Sequence, residues 1–159
     1  MAHEPSCFPY SIVFAELALL STTESESKSS FIVHTRTSNS PLAVNFTDQP
    51  VDSLLKLNVH TTNSPAHVHL HPAFEGRFKL RTSIFPAVVT PDPDVKDPAG
   101  LDRKRVVNVK TVGHGSGIVY GDVTWVPEGE EVADGIDDEV APTGKVEVCT
   151  RNSPLHLSL

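Results

Sequence analysis

Four histidines are spaced for metal chemistry: His60, His67, His69 and His71. The last three recur at every second position, so on an extended strand they project from one face. His-x-His pairs of this kind hold zinc or copper when a further ligand arrives from another strand. Here His60 or His156 could supply it, depending on the order in which the strands stack. A catalytic metal site also needs oriented partners behind its ligands and a cleft around them. An open, flat strand face offers neither, so the simplest reading is three solvated imidazoles. A metal-dependent enzyme or metal-binding protein built on this group is the alternative.

A second set is cationic. Arg36, Lys56, Lys79, Arg81 and Lys110 sit at positions that alternate with apolar ones, Arg151 falls at the last chain bend, and Glu147 is the one acid among them. Stacked strands would gather these into a basic strip on a chain whose 13 basic and 20 acidic residues give a net charge of −7. Such a strip suits an anionic partner: an acidic polysaccharide, a lipid headgroup layer or an acidic protein segment. The competing reading is ordinary solvated surface, with lysine discouraging strand edges from pairing. Nucleic acid is excluded as the partner by the lack of interleaved aromatics and by the acidic total.

The acidic excess is local. Glu128, Glu130, Glu131, Asp134, Asp137, Asp138 and Glu139 lie in a stretch with no base, as expected of a solvated loop. The stretch lacks the Asp-x-Asp-x-Asp-Gly spacing of a calcium loop. Nucleophile motifs are missing as well. Cys149 has no base beside it in sequence, and there is no Gly-x-Ser-x-Gly elbow. Gly113-His114-Gly115-Ser116-Gly117 lacks the Lys-Ser/Thr and the helix of a phosphate loop. With two cysteines, Cys7 and Cys149, no disulfide framework stabilises the chain. No cofactor is expected.

The elements that must position these residues are repeats. A strand, a Thr-x-Asn-Ser-Pro bend and a second strand recur five times. Three bends are nearly verbatim: Thr37–Pro41, Thr61–Pro65 and Thr150–Pro154. Two are degenerate, Thr82–Pro86 and Thr111–Gly115. Before each bend the residues alternate with period two. Leu55, Leu57, Val59 and Thr61 oppose Lys56, Asn58 and His60, for example, and the bend threonine falls on the apolar side in every copy. After the bend Leu42, Val44 and Phe46, then Ala66, Val68 and Leu70, and finally Leu155, Leu157 and Leu159 face inward. Asn39, Asn63 and Asn152 align with Gly113, which predicts positive φ at that place; Ile84 in the third copy then requires a different corner. Aligned positions 41, 65, 86, 115 and 154 lie just over twenty residues apart, apart from polar loops at 91–105 and 128–144.

This spacing predicts an all-β domain, a β-solenoid-like stack of about five strand–bend–strand repeats with equivalent threonines one above the next. A sandwich or meander of hairpins is the alternative. The repeats cover residues 31–159. Residues 1–30 precede them as an apolar lead segment and a Ser/Thr-rich linker.

The stretch from His60 to Pro72, with Phe74-Glu75-Gly76 and Arg81-Thr82-Ser83, resembles an uncharacterised domain of mushroom-forming fungi. Its repeat style is similar to the adhesin-like β-solenoid families of bacteria. The resemblance implies the repeat fold over about residues 31–159 and carries no catalytic or binding residues with it. The expectation for function is therefore a non-enzymatic binding or scaffolding module that contacts a macromolecule through a flat β face. No transmembrane segment and no basic leader is seen, which predicts a cytoplasmic protein. A secreted adhesin would instead be marked by glycosylation at Asn45, in the triplet Asn45-Phe46-Thr47. Exposed terminal strands would allow edge-to-edge homodimers.

Overall fold

The computed structural model describes residues 12–20, 29–113, 117–129 and 144–159. Among the described residues there are eleven strands and no helix. These are β1 (Val13–Ala18), β2 (Ser30–Thr37), β3 (Leu42–Asp48), β4 (Leu54–Thr61), β5 (Ala66–His69) and β6 (Gly76–Arg81), followed by β7 (Ala87–Thr90), β8 (Arg103–Val112), β9 (Ile118–Pro127), β10 (Gly144–Thr150) and β11 (Leu155–Ser158). They form two sheets. Sheet A runs β1-β3-β5-β11-β7 and sheet B runs β2-β4-β10-β6-β9-β8. Each pre-bend strand of the first, second, third and fifth copies lies in sheet B, and its post-bend strand lies in sheet A. The inner faces of both sheets build one core, with Leu42, Val44, Phe46, Leu55, Leu57, Phe78 and Leu157 at its centre.

The alternation read from the sequence is the burial pattern of the strands: β4 shows Leu55, Leu57, Val59 and Thr61 buried, and β11 shows Leu155 and Leu157 buried. The order of the copies departs from a simple stack. The fifth copy does not follow the fourth at the end. It sits between the second and third, with β10 parallel to both β4 and β6 and β11 parallel to both β5 and β7. Gly76 and Gly144 mark where β10 enters. They are register partners, and a Cβ on Gly76, whose φ is +153°, would come within 2.0 Å of the Gly144 carbonyl oxygen. Only a pair without side chains passes there.

The fourth copy is not a rung of the stack. Its strands β8 and β9 form an antiparallel hairpin, and β9 is antiparallel to β6 as well. Thr111 is accordingly exposed on β8, opposite Val119, and takes no part in a threonine row. Gly113 does have a left-handed φ of +101°, where the hairpin turns. The loop before β8 ends at Asp102, so Arg103–Arg105, read from sequence as loop, are strand. Residues 13–18 of the lead segment also join the body, as β1 paired in parallel with β3.

Three threonines do line up. Thr37, Thr61 and Thr150 are register partners, and their hydroxyls donate to the carbonyls of Ser40, Ser64 and Ser153 at 2.8, 2.6 and 2.7 Å. Each bond closes its own bend across three residues. Thr82 follows Arg81, the partner of Cys149, and so comes next to Thr150, but its buried hydroxyl has no hydrogen-bond partner.

Positive φ at the three asparagines does not occur; Asp102 is the one non-glycine residue in that region among those described. The reason is that the sheet ladder continues round the corner. The Asn63 N–H donates to the Ser38 carbonyl and the Asn152 N–H to that of Thr62, which holds these residues in ordinary backbone. Asparagine serves here through its side chain. Asn152 Nδ2 donates to Asn63 Oδ1 at 2.8 Å, and Asn63 Nδ2 to Asn39 Oδ1 at 3.0 Å. Ile84 therefore poses no backbone conflict.

Because Thr61 is fully buried and its hydroxyl is the only hydrogen-bonding group of its side chain, Thr61→Val should cost about 1–3 kcal/mol. Urea unfolding would show it, and the half-buried Thr37→Val should cost less.

Candidate functional site

The outer face of sheet B is where charge collects. Pairing aligns its outward residues in rows across six strands. The first row reads Ile32, Lys56, Lys145, Arg77, Asp122, Asn108, and the second His34, Asn58, Glu147, Lys79, Tyr120, Lys110. The third reads Arg36, His60, Cys149, Arg81, Ile118, Val112. Neighbouring strands lie about 4.8 Å apart, and outward residues on one strand about 6.6 Å apart. Lys56, Lys145 and Arg77 therefore form an unbroken basic line across β4, β10 and β6. Arg77, Lys79 and Arg81 form another along β6, all exposed.

The six cations singled out in the sequence, Arg36, Lys56, Lys79, Arg81, Lys110 and Arg151, all belong to this face or its corner. Arg151 lies exposed in the bend after β10, its N–H donating to the Thr61 carbonyl. Lys145, Arg77 and Lys104 were not singled out, although the same alternation marks them, each two residues from an outward position. Of the chain's 13 lysines and arginines, eight point outward from sheet B and Arg151 makes a ninth. The opposing acids on these rows are two. Glu147 pairs with Lys145 at 3.1 Å, and Asp122 accepts a hydrogen bond from Asn108 at 3.1 Å. Cations thus outnumber acids on these rows, with Asp122 beside Arg77 and Glu147 beside Lys79 as the two acids among them.

The face is flat. A depression of about 420 Å³ at the β2 edge is lined by His34, Thr35, Arg36, Asn58 and His60. Cys149 is a free, half-exposed thiol at the centre of the third row, between His60 and Arg81.

The outer face of sheet A is chemically different. Its rows read Phe14, Ala43, His67, His156, Val88 and Glu16, Asn45, His69, Ser158, Thr90, with no lysine or arginine. Here the structure corrects the histidine group. His60 points outward from sheet B, on the opposite side of the molecule from His67 and His69. His71 lies past the end of β5, and its Nδ1 accepts a hydrogen bond from the Ala73 N–H at 3.1 Å. His156 does reach His67, with ring centroids 5.7 Å apart at an interplanar angle of 82°, but its Nε2 lies 2.7 Å from Thr90 Oγ1. Among the described residues no three His, Cys, Asp or Glu side chains converge as metal ligands. The reason is geometric: successive copies put the pre-bend and post-bend strands in different sheets, so His60 and His67 cannot share a face.

Other sequence candidates lie partly outside the described residues: Cys7, His114–Ser116 and the acids of 130–143. Asn45 is half-buried on the outer face of sheet A. No helix among the described residues is long and apolar enough to cross a membrane, which leaves membrane-spanning strands unaddressed.

Burial holds the His71 imidazole below its ordinary value of about 6.5, opposed by the nearby Asp48 charge. A depressed histidine contributes stability above that ordinary value and loses it as the pH falls through and below it, because the unfolded chain then takes up the proton more readily. His71→Gln should therefore narrow the difference in melting temperature between pH 7.5 and pH 5.5, as followed by circular dichroism.

No family model, curated protein or solved structure matches the chain.

Proposed function

We propose that the protein is a non-enzymatic binding module whose sheet B outer face docks an extended polyanion, with an acidic polysaccharide as the partner that suits it best. The observation that carries this reading is the segregation of charge. Eight cations point outward from sheet B and none from the described outer face of sheet A, on a chain that is acidic overall. An open strand face suits a partner that lies along it better than one it must enclose. What it can do is match a repeating series of negative groups with cations at strand spacing. The outward apolar residues Ile32, Ile118 and Val112 share their rows with cations, Ile32 beside Lys56 and Ile118 beside Arg81, rather than forming a broad apolar patch that would enter a bilayer. The scaffold is read as a solenoid-like stack in which each added rung extends the face, in the manner of an adhesin.

The experiment is a titration with dextran sulfate against uncharged dextran of the same length, by calorimetry at several salt concentrations. Saturable binding of the sulfated polymer that weakens with salt supports the proposal. Equal binding of both polymers, or binding insensitive to salt, removes it.

A further inference from the structure

The two sheets end out of step at the β1 end of the stack. β2 and β3 are the halves of one repeat, joined by the first bend, and make one layer across the core. β1 lies one place beyond β3 in sheet A, whereas sheet B stops at β2 among the described strands. β1 therefore overhangs, and the place beside β2 and across from β1 holds no described strand. The inward side chains show the result. Leu42, Val44 and Phe46 of β3 are buried, but Val13 of β1 is 40% exposed, and Leu17, Phe31 and Val33 are only half-buried.

Both edges are open to pairing. The Val13 N–H donates to the Pro41 carbonyl and the Leu54 N–H to that of Ser29, which turns the odd-numbered residues of β1 and β2 toward β3 and β4. The edge-facing N–H and C=O groups then belong to Phe14 and Glu16 on β1 and to Ile32, His34 and Arg36 on β2. These are the same residues whose side chains point outward. Proteins protect such edges with lysine, proline or very short strands. The other end of the stack does so, since β7 has four residues and β8 carries Lys104 and Lys110. β1 and β2 contain neither lysine nor proline. Of the twelve exposed large hydrophobics among the described residues, five lie on or beside these two strands: Ile12, Val13, Phe14, Leu20 and Ile32. An edge left in this state is a template for another chain.

We infer that the chain it pairs with is a second copy of this protein, related by a two-fold axis parallel to the strands. Rotation about that axis carries sheet A onto the line of sheet B. It sets β1 of each copy in the vacant place beside β2 of the other, with inward residues still facing inward. The new pairs are antiparallel. Only residues 49–53 link the end of β3 to the start of β4, which lies beside the start of β2, so β3 and its parallel neighbour β1 run opposite to β2. A second copy is the partner that brings both an overhang and a vacancy of the same size. An axis perpendicular to the sheets would instead put β1 against β1 and leave a gap between the two β2 strands. The charges agree with the joint. With Glu16 opposite His34, its carboxylate lies between His34 and Arg36 of the other copy, and Leu17 meets Val33 on the inner side. The joint stands apart from the polyanion reading, and it turns the basic faces of the two copies to opposite sides.

Sedimentation equilibrium of the full chain is expected to show a monomer–dimer equilibrium. His34→Pro removes an edge-facing N–H from each of the two joints and spares the bonds to β4, so it should raise the dimer Kd at least about tenfold. Glu16→Arg changes an exposed side chain and sets a like charge beside Arg36, which should also raise the dimer Kd; adding Arg36→Glu should restore it. Circular dichroism is expected to show all three variants folded. Lys79→Glu/Arg81→Glu should leave the equilibrium unchanged, which separates the joint from the polyanion face. A chain that stays monomeric at its highest soluble concentration, or a dimer as tight in both single variants as in the parent, overturns the inference.

Discussion

A chain ending at residue 143 will show no cooperative unfolding transition, although it loses only one of five repeats. In a stack ordered as the sequence runs, the last copy would be a terminal layer, and its removal would merely shorten the domain. Here β10 and β11 are interior strands of the two sheets, each with two parallel neighbours. Val146, Val148, Leu155, Leu157 and Leu159 are essentially buried. At roughly 1.5–3 kcal/mol each they contribute about 8–15 kcal/mol, as much as the net stability of a typical domain. The loss also strips one side of β4, β5, β6 and β7 of its ladder bonds. Thermal unfolding followed by circular dichroism would show the missing transition. Adding residues 144–159 as a free peptide should restore it, since the gap is shaped for that pair of strands. A truncated chain that melts cooperatively near the intact protein's temperature would mean that the fifth copy is peripheral.

Reversing Lys56, Lys79 and Arg81 together to glutamate is expected to weaken dextran sulfate binding at least about 100-fold at low salt. Each surface cation near a polyanionic partner contributes about 1 kcal/mol, and reversal adds repulsion to the loss. The three side chains are exposed and sit on outward rows, so the fold should survive and the melting temperature should move little. The salt dependence of binding should flatten in the same variant, because fewer counterions are displaced. An unchanged affinity in a folded triple variant would place the interaction elsewhere.

How much of this was legible beforehand depends on the range of the interaction. The inward and outward sides of Leu55–Thr61 or of Lys79 and Arg81 follow from local alternation, and they hold whichever strand lies alongside. The order of the copies does not follow from it. β10 presents the same pattern whether its neighbour is β6 or β9, so nothing local announces that it lies between β4 and β6. That placement rests on a non-local contact, the close passage of Gly144 against Gly76, and on the length of the links. The segment from Leu70 to Glu75 must cross from sheet A to sheet B, about 10 Å, while advancing two strand spacings, about 9.6 Å, which six residues do easily. The histidine group failed for the same reason: His60 and His67 are neighbours in sequence but belong to strands of different sheets. The asparagine bends failed on a narrower point. Asn and Gly share a tolerance for positive φ, yet Asn39, Asn63 and Asn152 recur for a side-chain ladder that only stacked copies can make.

Cys149 sits at the centre of the basic face and offers the most direct test. In a Cys7→Ser background its alkylation by uncharged iodoacetamide can be timed with and without saturating dextran sulfate, beside a control thiol placed on sheet A by Ser158→Cys in a Cys149→Ser chain. Docking on sheet B predicts that the polymer slows alkylation at residue 149 several-fold and leaves residue 158 unaffected. Equal rates at residue 149 with and without polymer, or protection of residue 158 instead, would contradict it.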